Sequence, residues 1–97
     1  MSVTNLALNG YASLLWNITP NVRKVYVSAY DHVLSLHFFY NENPSELEVE
    51  LSELAATDLI SRYPSPFVVD CKRKVIAYPE KFIHEGAHLI YARYEED

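Results

Sequence analysis

Ninety-seven residues, 49% of them hydrophobic, are enough to close one core without disulfides or metal, so a single domain over residues 1–97 is expected. The one cysteine, Cys71, cannot bridge internally and suits a reducing, cytoplasmic compartment. A net charge of −5 argues against nucleic-acid phosphates as a partner, and neither a basic leader nor the run of about 18 apolar residues needed to span a membrane is present.

The chain then reads in order. Residues 3–16 place Val3, Ala7, Tyr11, Leu14 and Leu15 at helical spacing, an amphipathic helix despite Gly10. Asn17-Ile18-Thr19-Pro20-Asn21 breaks it, because Pro20 lacks an amide hydrogen. From Arg23 to Tyr30, Val25, Val27 and Ala29 alternate with Lys24, Tyr26 and Ser28. After Asp31-His32, Leu34, Leu36 and Phe38 alternate with Ser35, His37 and Phe39, so the two runs form a hairpin. Asn41 to Ser45 is a turn, with Ser45 as cap of a second helix that runs to about Tyr63 and stops at Pro64. Glu46 to Leu51 also alternates with period two, but the pattern fails at Ser52, and residues 51–63 are rich in helix formers. Two more strands, Phe67 to about Tyr78 and Ala87 to Tyr94, flank an irregular loop over 79–86.

The order α-β-β-α-β-β predicts an α+β fold, a two-layer sandwich with two helices packed on a mostly antiparallel four-stranded sheet. The other face of that sheet would carry Tyr26, Tyr30, His37 and Phe39, an aromatic surface open to a partner. On the second helix, Val49, Ala56, Leu59, Ile60 and Tyr63 share the arc expected to face the sheet. Glu46, Glu50 and Glu53 gather on one side, and Leu47, Leu51 and Leu54 form an apolar strip beside them. These six residues are the candidate partner-binding surface.

His84-Glu85-Gly86-Ala87-His88 satisfies the H-E-x-x-H zinc signature, which requires a helix to bring its histidines together. Gly86 at its centre and the strand-like run after it oppose that, and along a strand the two rings would stand roughly 13 Å apart. Cys71, within an apolar strand, reads as a packed thiol rather than a nucleophile. With two glycines in the chain, neither a P-loop nor a dinucleotide fingerprint can be built. No catalytic, cofactor or metal residues are therefore expected, and no enzyme activity.

Three segments carry a resemblance. Ile18-Thr19-Pro20-Asn21-Val22-Arg23-Lys24-Val25, Leu36-His37-Phe38-Phe39-Tyr40-Asn41-Glu42-Asn43-Pro44-Ser45-Glu46 and Thr57-Asp58-Leu59-Ile60-Ser61-Arg62-Tyr63-Pro64 resemble small bacterial immunity proteins of the contact-dependent growth inhibition type, encoded beside polymorphic toxins. The resemblance spans roughly residues 14–64. It implies a cytoplasmic protein that binds the C-terminal domain of a cognate toxin, often a basic nuclease, and blocks its active site or substrate surface. Acidic charge would steer association with such a toxin. The competing readings are a small adaptor using a free sheet edge for strand addition, and a small hydrolase using His84, Glu85 and His88 or Cys71.

Overall fold

The computed structural model describes residues 3–96. Helix α1 spans Val3–Ser13, strand β1 Val22–Tyr30, β2 Val33–Tyr40, helix α2 Glu46–Ile60, β3 Val68–Val75 and β4 His88–Ala92. The element order is the expected one. The strands form one sheet in the order β3-β2-β1-β4. β1 runs antiparallel to β2 and β4, whereas β2 and β3 run parallel.

That last pairing corrects the expectation of a mostly antiparallel sheet: the sheet is mixed. The cause lies in the connection, because α2 stands between β2 and β3 and returns the chain to the end of the sheet where β2 began. The β1–β2 hairpin turns tightly through Asp31 and His32, both at positive φ, 48° and 65°. A two-residue turn of matching twist requires that backbone, and an aspartate tolerates it.

One face of the sheet contributes Val25, Val27, Leu34, Leu36, Phe38 and Tyr40 to a core completed by Leu6 and Leu14 of the α1 region, Ala55, Ala56 and Leu59 of α2, and Ile90 of β4. The hairpin register pairs Val25 with Phe38, Val27 with Leu36 and Ala29 with Leu34, so the predicted strand faces are the observed ones. The helix faces match in part: Leu14, Ala56 and Leu59 are in the core and Ala7, Ile60 and Tyr63 pack against it. On α1 the buried positions are Leu6, Gly10 and Ser13, followed by Leu14, while Tyr11 and Leu15 are exposed. Val3, also expected in that stripe, has its side chain outside the described residues, as has Asp97 of the acidic tail. On α2 the buried positions are Ser52, Ala55, Ala56 and Leu59, with Ile60 half-buried.

Small residues win these positions because the helices approach closely. A Cβ on Gly10 would stand 3.0 Å from Ile90 Cδ1 and 3.4 Å from Val27 Cβ. The glycine that reads as a helix defect is where α1 touches β1 and β4.

The second sheet face differs from expectation too. Residues 79–87 fold over it: Lys24 Nζ donates to Phe82 O at 2.7 Å and Arg23 Nη2 to Glu80 O at 2.8 Å. Phe82 packs on Phe39 at 4.8 Å between ring centroids, and His84 lies 4.4 Å from His37, 5.4 Å from Phe39 and 5.5 Å from Tyr26. Tyr26, His37 and Phe39 are therefore buried and only Tyr30 remains open. The expected aromatic binding face is closed by this loop, because that much apolar ring surface is more stable covered than wet.

Candidate binding surface

α2 begins with the cap that Ser45 predicts. Ser45 Oγ accepts from the Glu48 N–H at 3.1 Å, and Glu48 Oε1 accepts from the Ser45 N–H at 3.0 Å, a reciprocal capping box. Glu48 also accepts from the Thr19 hydroxyl and from Asn21 Nδ2. Partial burial opposes ionisation of this carboxyl, but the hydrogen bonds from Ser45, Thr19 and Asn21 outweigh it and hold its pKa below the usual value. Glu48 thus ties the start of α2 to the segment after α1. Beyond the other end of α2, Asn9 Nδ2 of α1 donates to Tyr63 OH at 3.1 Å.

The six candidate residues separate by environment. Glu46 and Glu50 are exposed, Leu47 is 61% and Leu54 50% exposed, and Leu51 is half-buried. Glu53 is exposed, but its Oε1 lies 2.7 Å from Arg73 Nη1 on β3, which neutralises much of its long-range field. Asp58, further along, pairs with Arg62 at 3.0 Å. Among the described residues, the acids of α2 that face outward without a cation partner are therefore Glu46 and Glu50, flanking Leu47 and followed by Leu54.

Large apolar residues outside the expected set are exposed as well. On α1 and its end, Leu8 (62%), Tyr11 (55%), Leu15 (58%) and Trp16 (96%) are exposed. Their spacing of three to four puts Leu8, Tyr11 and Leu15 on one helical stripe. The sequence carried this signal as a surplus: α1 has more large apolar residues than one buried stripe can use, so some must face outward.

The remaining motif residues lie on separate elements. His84 lies in the covering loop and His88 opens β4, not on a helix. Among the described residues no three His, Cys, Asp or Glu side chains converge as metal ligands. Cys71 is half-buried beside the core, its Sγ 3.7 Å from Ser52 O, and burial pushes its pKa up, which keeps it a protonated packing thiol. Among the described residues no helix is long and apolar enough to cross a membrane.

No curated protein matches the chain. A family model does, the MafI2 immunity protein, over residues 3–95, which takes in both helices, all four strands and the exposed residues of α1 and α2. The chain therefore belongs to the MafI2 immunity protein family, and its work is to bind and neutralise a cognate toxin.

Proposed function

We propose that the protein acts as a single cytoplasmic domain whose two helices occupy one layer over the sheet, and that the outer surface of this helical layer binds the toxin's C-terminal domain. The toxin is delivered by a neighbouring cell in the manner of contact-dependent growth inhibition, and its binding site is basic, as in a nuclease. The observation that carries this reading is the row on α2 where Leu47 and Leu54 stand exposed among the outward carboxylates Glu46 and Glu50. Desolvated apolar anchors supply affinity while unpaired charge speeds encounter, and this surface offers both. Leu8, Tyr11, Leu15 and Trp16 extend the apolar area across to α1. The chain works by occlusion of the active site or substrate surface rather than by catalysis, and needs no cofactor to do so.

The test is co-expression with the toxin domain encoded beside this gene. The native chain restores growth and copurifies with the toxin, whereas the double variant Leu47→Asp, Leu54→Asp, folded by circular dichroism, does neither. A double variant that protects as well as the native chain would move the interface elsewhere.

A further inference from the structure

The edge of the sheet carries chemistry opposite to that of α2. β3 is the outermost strand on its side, with no strand beyond it among the described residues. Val68 N–H donates to His32 O at 3.0 Å and, just past the strand, Ile76 N–H donates to Tyr40 O at 2.9 Å. In a parallel ladder only alternate residues bond to one neighbour, so the even-numbered residues face β2. The N–H and C=O groups of Val69, Cys71, Arg73 and Val75 accordingly point outward, a template for one more strand.

Charge decides which strand would fit. In a chain of net charge −5, β3 bears Lys72, Arg73 and Lys74 in succession. Lys72 and Lys74 pair in register with His37 and Phe39, and with His84 these residues line a cleft of about 260 Å³ between the edge and the covering loop. Asp70 shares that face, 3.7 Å from Lys72, and offsets one of the two lysine charges, so the face keeps a net positive charge through Lys74. Arg73 points the other way, held by Glu53 at 2.7 Å and Ser52 at 3.0 Å under α2. Lysines alone are a common way to blunt an edge against aggregation. Here they border a cleft walled by rings, with Val68 and Val75 exposed at the two ends.

We propose that the β3 edge binds an extended segment of a partner protein whose alternate side chains are acidic, Asp or Glu opposite Lys72 and Lys74, with neutral or apolar residues between them toward α2. A second copy of this chain is the poorer occupant. Pairing β3 with itself sets two Lys-Arg-Lys runs side by side, like charge against like charge. The edge is a separate surface from the toxin-binding face proposed above and does not depend on it.

The probe is an acetylated eight-residue peptide alternating Glu and Val, titrated into the ¹⁵N-labelled full chain. Slowed hydrogen exchange is expected at the amides of Val69, Cys71, Arg73 and Val75. The Lys-for-Glu peptide should bind at least tenfold more weakly, and N-methylation of every second peptide amide should abolish the protection. The double variant Lys72→Glu, Lys74→Glu should invert the preference between the two peptides, while Glu46→Lys and Glu50→Lys leave it unchanged, which separates this edge from the helical face. The proposal is overturned if the acidic and basic peptides bind equally, if the N-methylated peptide binds as well as its parent, or if the acidic peptide gives no protection at millimolar concentration. It is also overturned if the β3 amides become protected without peptide as the chain is concentrated and its mass doubles, since the occupant would then be a second copy.

Discussion

Arg23 is 2% exposed, and its guanidinium donates to both oxygens of Glu95, at 2.7 and 2.9 Å, and to the carbonyls of Ile76 and Glu80. The hydrogen bond from Arg23 pulls the Glu95 carboxyl down to about 2. His37 is displaced for a different reason: burial, with His84 and Lys72 beside it, lowers its imidazole to about 4. The signs of the two effects agree. Below about 6.5, the ordinary value of a histidine, the unfolded chain takes a proton that folded His37 refuses, so stability falls as the pH drops from 6.5 toward 4. The Glu95 contribution is complete above about 4.5 and is lost between 4.5 and 2. The thermal midpoint should therefore decline through two successive acid windows, with His37→Asn flattening the first and Glu95→Gln the second. A His37→Asn profile as steep as the native one between pH 6.5 and 4 would assign that loss to other groups. The pairing of Arg23 with Glu95 was not legible beforehand. Alternation put Arg23 at the rim of a strand, but the irregularity between Val22 and Lys24 turns it inward, toward a partner 72 residues away, and a period-two pattern contains no sign of either.

Strands and helices differed in how much of them could be read. The β1–β2 pair was legible down to its faces because the side-chain period of a strand and the backbone of a two-residue turn are local properties. The direction of β3 was not, since alternation assigns faces but not polarity. The intervening α2 was the usable clue. The helix faces were read in part: Ala56, Leu59 and Leu14 lie in the core as expected, but a hydrophobicity pattern favours large apolar residues whereas close approach favours small ones, and Gly10, Ser13, Ser52 and Ala55 hold the other inward positions. A consequence follows for α2. Leu59 is fully buried and Ile60 only half so, so Leu59→Ala should cost about 2–5 kcal/mol through lost burial and an unfilled cavity, and Ile60→Ala roughly half as much. Urea unfolding of both variants checks the order; equal losses would mean α2 is rotated toward the arc that the sequence suggested.

At the scale of the whole molecule the charges are sorted, with outward carboxylates on α2 and a basic run on β3, and the toxin-binding reading makes a kinetic claim about the first of these. Steering by charge acts on the encounter rate and is screened within roughly 8–10 Å at ordinary salt, whereas desolvated apolar anchors act on the lifetime of the complex. Glu46→Lys with Glu50→Lys should therefore slow association with the cognate toxin domain, roughly tenfold or more at low salt, and weaken its dependence on ionic strength. Glu53→Gln should do much less, because it removes a single negative charge whereas the double reversal also adds two positive ones. Leu47→Asp and Leu54→Asp, which add negative charge, should not slow association but should raise the dissociation rate, by a factor that reports how deeply each leucine is buried in the complex. Surface plasmon resonance over a range of salt concentrations separates the two classes. If both sets of variants, folded by circular dichroism, keep native rate constants, α2 is not the contact surface, and the exposed Leu8, Tyr11, Leu15 and Trp16 of the α1 side become the next residues to change.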